Sequence, residues 1–231
     1  MQVNQFNLRF MLRNVCGRYP KIFYATYGLK STNRKLLVNK NTQLLIEGFP
    51  RSANTFAVLT FKYANPDINI AHHLHIPSQV FQAIKWQIPT LILIRNPKDA
   101  VASWVLRNPG LSVDLALKSY ASFYKLIQPY NSKYIVAKFE DVIANYFQII
   151  EQVNAKFGSS FIAITPTTEQ KQEIFTQIRE LTIRSNGFDC ILKSSRPSTE
   201  KNTLKELIFK DMEQKHKDSL VMAETVYNNF I

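Results

Sequence analysis

"LLIEGFPRSANTF", residues 44–56, decides the fold. An apolar run ends at Gly48, a short polar loop follows, and apolar residues return at helical spacing through "NTFAVLTFKYA". Strand, loop and helix in that order make a phosphate-binding loop. The N–H groups at the helix start converge on one spot and carry the positive end of the helix dipole. The Walker A pattern is G-x-x-x-x-G-K-[ST]. Gly48 and Thr55 keep its spacing, whereas Ala53 stands at the second glycine and Asn54 at the lysine. Arg51 adds a guanidinium fork suited to phosphate. Ser52 and Thr55 add hydroxyls, and Asn54 adds an uncharged amide donor. The lysine that reaches the β- and γ-phosphates in ATPases is missing, which argues against ATP hydrolysis. A donor that needs only amides, hydroxyls and one cation still fits.

Outward from this loop, "INIAHHLHIP" reads as a short strand or extended stretch and "PSQVFQAIKWQ" as a helix capped by Ser78. "IPTLILIRNP" holds the strongest strand, four apolar residues from Leu91 to Ile94 stopped by a polar loop, as in a parallel sheet buried on both faces. "KDAVASWVLRN" and "SVDLALKSYASFYKLIQP" are helices, the second closed by Pro129. "KYIVAKFED" is a fourth strand, and "VIANYFQIIEQVNAKFG" is one amphipathic helix ending at Gly158. The alternation predicts an α/β three-layer sandwich with a mostly parallel central sheet, of the P-loop NTPase kind. Ligands of such sheets bind at the carboxyl ends of the strands. No composition break divides the chain, so residues 1–231 read as one domain with a core at about 42–157 and a helical segment at about 200–231.

A second polar cluster, "RNPKDAVAS", follows the "LILI" strand. Arg95 emerges at the strand end, Pro97 and Asp99 shape the helix start, and Ser103 lies one turn in. An arginine and a serine there make a second phosphate site. Between the two clusters lie His72, His73 and His75, in the pH range of a general base. An extended backbone would aim His73 and His75 one way and His72 the other. H-x-H can also chelate a metal, but no third ligand is evident, so no metal is expected.

Together the clusters resemble the sulfotransferases that use PAPS, 3′-phosphoadenosine 5′-phosphosulfate. "PRSANTF" is similar to the family loop P-K-S-G-T-T-W, with Arg51 at the lysine, Ala53 at the glycine, Asn54 at the first threonine and Phe56 at the aromatic. "RNPKDAVAS" fits R-N-P-K-D-x-x-x-S at every fixed position, and "YIVAKFEDV" is similar to the stretch near R-Y-E-D-L. The resemblance spans about residues 42–157. It implies that Arg51, Ser52, Ala53, Asn54 and Thr55 hold the 5′-phosphosulfate end, with Arg51 also serving the leaving oxygen. It implies that Arg95 and Ser103 hold the 3′-phosphate. "HHLHIP" resembles the family's K-T-H-L-P stretch, which makes His73 the first candidate base, His75 the second and His72 the third. The late R-K-G-x-x-G-x-W-K motif is absent. "SSRPSTEKN" is the nearest basic stretch, so Arg196 and Lys201 are its stand-ins as phosphate contacts. Glu140 and Asp141 read as a helix-start pair. If Ala53 needs φ > 0, the loop carries a cost of about 1 kcal/mol.

Lys and Arg outnumber Asp and Glu 29 to 17, for a formal charge of +12. Such a surface attracts anions, but the basic residues are spread along the chain, which argues against nucleic acid. The two cysteines, Cys16 and Cys190, suit a reducing, cytoplasmic setting. No apolar run reaches the length of a membrane helix. "FNLRFMLRNV" reads as an amphipathic helix that packs on the domain, with peripheral membrane contact the alternative. The expected activity is sulfuryl transfer from PAPS to a hydroxyl or amine of a small-molecule, carbohydrate or lipid acceptor. The alternatives are a P-loop kinase and a catalytically silent binding protein of the same fold.

Overall fold

The computed structural model describes residues 5–29, 34–187 and 199–231. Two helices, α1 (Gln5–Cys16) and α2 (Pro20–Tyr27), precede the sheet. Strand β1 (Leu44–Gly48) leads through the polar loop to α3 (Asn54–Ala64), and β2 (Ile70–His72) leads to α4 (Pro77–Lys85). Strand β3 (Thr90–Ile94) is followed by α5 (Pro97–Arg107) and α6 (Val113–Ile127). A 3-10 turn (Gln128–Lys133) then leads to β4 (Ile135–Lys138), α7 (Phe139–Ala144) and α8 (Tyr146–Phe157). Helices α9 (Thr168–Asn186), α10 (Thr199–Lys215) and α11 (Lys217–Asn228) complete the described chain.

The four strands are all parallel, in the order β2-β1-β3-β4. Successive side chains of a strand point to opposite faces. Leu45, Ile92 and Ile94 accordingly enter one core with residues of α4, α5, α6 and α11. Leu44, Ile46, Leu91 and Leu93 enter another with residues of α3, α8 and α9. Helices on both faces give the three layers expected of strands with apolar residues on both sides. The chain passes from β1 to β2 on one side and returns to β3 on the other. The loops after β1 and β3 therefore diverge at the switch point, where a crevice opens.

Two local expectations are corrected. Ser78 does not cap α4: Ile76 is the N-cap, Pro77 takes the first turn, and the buried Ser78 hydroxyl donates to the Gly17 carbonyl at 2.7 Å. The single helix expected over residues 142–157 is two, parted at Asn145, whose φ of −130° is not helical. Helix α6 closes just before Pro129, as expected: it ends at Ile127 with Gln128 as its C-cap, and the 3-10 turn starts at Gln128. Helix α1 does pack on the body, but through Phe10, whose ring meets Trp104 edge-on at 5.0 Å, and through polar side chains.

Candidate active site

The loop after β1 is tight because β1 and β3 are. A Cβ on Gly48 would sit 2.2 Å from the Leu93 carbonyl oxygen, so only glycine lets the strands approach there. Tyr124, buried on α6, ties the same place together: its hydroxyl accepts the Phe49 N–H at 3.0 Å and donates to the Leu93 carbonyl at 2.7 Å. Arg51 and Ala53 both adopt left-handed backbone, at φ 71° and 67°, and Ala53 is the N-cap of α3. The conditional expectation for Ala53 is therefore met, and the position carries strain that glycine would not. We expect Ala53→Gly to raise the unfolding free energy by about 0.5–1 kcal/mol. Urea denaturation checks it.

The structure turns the loop side chains in different directions. Asn54 is buried, and its amide donates to the Phe49 carbonyl at 3.0 Å, closing the loop from within. Ser52 is fully buried, and its hydroxyl lies beside that of Tyr124. Thr55 and Arg51 line the cavity described below. Arg51 Nε donates to Ser103 Oγ at 2.9 Å, and Arg95 Nη1 donates to the Arg51 carbonyl at 3.2 Å. The two clusters are thus one site. Burial, with Arg107 and Arg95 close by, pushes the Arg51 guanidinium down to about 9. Arg95 is also lowered by burial, against the pull of Asp99 and Glu140, and its guanidinium stacks on Phe139 at 3.8 Å. Tyr120 fixes the Arg95 backbone by donating to its carbonyl at 2.6 Å.

The histidine segment is not extended. His73 and His75 have φ of 62° and 52°, so the alternation of rings is replaced by a turn. Its cause is Glu47, fully buried in β1. One carboxylate oxygen accepts the Leu74 N–H at 2.7 Å, and the other accepts the N–H of His75 at 2.9 Å and of Gly48 at 3.3 Å. Two consecutive N–H groups can reach one carboxylate only if the chain curls around it. His75 Nδ1 lies 2.7 Å from the Gly48 carbonyl, which can only accept, so Nδ1 carries the proton and Nε2 bears the lone pair. His73 Nε2 lies 3.1 Å from Thr55 Oγ1, and its Nδ1 lies 2.6 Å from His72 Nδ1. His73 and His75 line the cavity.

These groups set a pH dependence. Burial, partly offset by the three N–H donors and by Arg13, pushes Glu47 up to about 7 from its ordinary 4.5. Burial holds His72 down to about 4, His75 to about 3 and His73 well below 6.5, with neighbouring cations adding to each. The histidines take up protons on unfolding below their ordinary 6.5, so their contribution is present above that pH and lost as pH falls through 4 and 3. Glu47 has the opposite sign. The folded chain keeps its proton between 4.5 and about 7, so its contribution is present below 4.5 and lost as pH rises through 7. We expect unfolding free energy to peak at about pH 6–7. Glu47→Gln should flatten the decline on the alkaline side and lower stability by about 2 kcal/mol or more, because its amide faces backbone donors. Urea titrations across pH read both effects.

The crevice is a cavity of ≈ 860 Å³, at the upper end of ordinary ligand sites. Among the described residues, its charged lining is Arg9, Arg13, Arg51, Arg95, Arg107 and Lys205, with no carboxylate. Arg13 donates to the Leu74 carbonyl through Nη2, while its buried Nε–H has no acceptor among the described residues. Lys205 reaches Asp99 at 2.8 Å. Phe56 and Phe175 line the cavity with their centroids 5.9 Å apart. Sequence reasoning missed Arg9, Arg13, Arg107, Lys205, Glu47 and the two tyrosines. Arg107 could have been found, since it lies four residues beyond Ser103 on the same helix face. Glu47 could too, as a lone acid in an apolar strand. Arg196 and the Lys201 side chain lie outside the described residues. Glu140 and Asp141 lie in the first turn of α7. No group of three potential metal-binding side chains occurs among the described residues.

Fold and site together define an α/β protein with a P-loop-like strand–loop–helix at the switch point of a parallel sheet. No protein-family model and no curated protein matches the chain. Among solved structures it is similar to mouse sulfotransferase SULT7A1 complexed with PAP. The identity is 11%, the similarity covers 84% of this chain and 91% of that chain, and the TM-score is 0.42.

Proposed function

We propose that the chain is a sulfotransferase that takes its sulfuryl group from PAPS. The observation that carries the reading is the cavity lining: six cations and no carboxylate among the described residues, converging on a strand–loop–helix turn. A ligand with several phosphate or sulfate groups matches that charge. The buried Arg13 Nε–H, which has no acceptor among the described residues, is a further donor on the cavity wall. Arg51, Thr55 and the loop backbone hold the 5′ end of the donor, and Arg95 and Ser103 hold its 3′-phosphate. Phe56 and Phe175 offer apolar faces for a purine ring. A kinase reading is weaker, because the described lining supplies neither a loop lysine nor a carboxylate to hold magnesium.

When bound, the donor supplies an electrophilic sulfur that accepts the oxygen or nitrogen of the acceptor while its bond to the phosphate oxygen breaks. His75 takes the acceptor's proton on Nε2. Its Nδ1–H is held by the Gly48 carbonyl, and its backbone by Glu47, which fixes the tautomer a base requires. The bound anions raise its proton affinity from the low value of the empty cavity. His73, with both ring nitrogens engaged, orients Thr55. Arg51 faces the charge that develops on the leaving phosphate.

A thermal shift tests the proposal. The melting temperature should rise with 3′,5′-diphosphoadenosine and stay unchanged with ATP and magnesium. A rise with ATP and magnesium alone moves the chain to the kinase class.

A further inference from the structure

Helix α1 is attached the wrong way round for a helix that buries its apolar side. Asn7 Nδ2 donates to the Gly110 carbonyl at 3.2 Å, and Ser112 N–H donates back to Asn7 Oδ1 at 3.3 Å. Asn14 Nδ2 reaches Ser119 Oγ at 2.9 Å, and Arg18, just past the helix, reaches Ser122 Oγ at 3.1 Å. Polar side chains therefore tie the helix to α6 and the turn before it. Leu8, Met11, Leu12 and Val15, which share one face at helical spacing, are left outward at 47–57% exposure. Tyr19 and Ile22 extend the same stripe onto α2, also exposed.

The charge of this segment is one-sided. Residues 1–46 contain eight Lys and Arg and no Asp or Glu; Glu47 is the first acid in the chain. Arg9, Arg18 and Lys21, which flank the stripe, are exposed. A second copy of the chain seated on the face would bring two such segments together and repel. Nucleic acid would satisfy the cations but leave six large apolar side chains in water. An anionic lipid surface satisfies both, with apolar side chains in the headgroup boundary and cations among the headgroups.

We propose that the outer face of α1 and α2 docks on an anionic membrane surface. This rests on α1 and α2 alone and holds whatever reaction the cavity performs. Since Arg9, Phe10 and Arg13 of α1 also line the cavity, docking sets the cavity beside the lipid.

Co-sedimentation of the full chain with vesicles tests it. The chain should pellet with phosphatidylcholine–phosphatidylglycerol vesicles at low salt, be released at high salt, and stay in solution with phosphatidylcholine alone. Leu12→Ser with Val15→Ser should reduce the bound fraction about tenfold, since the apolar contribution scales with buried carbon. Lys21→Glu should weaken binding as well, both variants keeping the wild-type melting temperature. The proposal is overturned if anionic vesicles leave the chain in solution. It is also overturned if the Leu12/Val15 variant binds as wild type. Concentration-dependent dimerisation that this variant abolishes, without vesicle binding, would assign the face to a second copy instead.

Discussion

Arg95→Ala weakens binding of 3′,5′-diphosphoadenosine about ten- to a hundredfold, the equivalent of one charge-assisted contact of about 1.5–3 kcal/mol. Arg95 stands where β3 ends, its carbonyl held by Tyr120 and its guanidinium seated on Phe139. It is therefore pre-oriented, and little rotamer entropy is lost when an anion arrives. Its Nη1 also donates to the carbonyl of Arg51, a residue in strained left-handed backbone. Truncation thus removes a phosphate contact and loosens the loop that holds the other end of the ligand. Arg51→Ala has an effect of similar size, because it takes away the hydrogen bond that links Ser103 to the loop as well as a cation. Isothermal titration calorimetry reads both. Substitution of the exposed Lys133 provides the comparison, with no change expected.

His75→Ala leaves ligand binding within about twofold and lowers the transfer rate about a hundredfold or more, the usual contribution of a positioned base. The ring is half-buried and hydrogen-bonded through Nδ1 to backbone, so its Nε2 is the histidine nitrogen whose lone pair is fixed by the protein. His73→Ala should cost less than His75→Ala, because His73 acts through Thr55. His75→Gln restores a hydrogen bond to Gly48 without a basic nitrogen, and should remain inactive. Single-turnover rates with preloaded donor separate these effects from binding. The reverse order, with His73→Ala inactive and His75→Ala active, would transfer the base to His73.

Much of this was legible in the chain. "LLIEG" and "TLILI" carry apolar residues on both strand faces, which only a covered parallel sheet accommodates, and the four strands pair that way. Arg51, Thr55, Arg95 and Ser103 follow strand ends, so local order alone brought them to one crevice. The turn at the histidines was hidden because its cause is tertiary. Glu47 collects N–H groups from a segment 27 residues on, and no local pattern of "AHHLHIP" announces that. Arg9 and Arg13 were hidden for a related reason. Helix α1 uses polar residues as its inner side, so hydrophobic periodicity points away from the cavity it helps to build. Lys205 arrives from α10, 106 residues beyond the Asp99 that holds it.

The central claim is a site for a 3′-phosphorylated adenosine, held at one end by the loop after β1 and at the other by Arg95 and Ser103. The most direct measurement is the ratio of dissociation constants, by calorimetry, for adenosine 5′-phosphate and 3′,5′-diphosphoadenosine on the wild-type chain. The 3′-phosphate should tighten binding at least about tenfold, and Arg95→Ala should remove most of that difference. Equal affinity for the two ligands, or no binding of either, would contradict it.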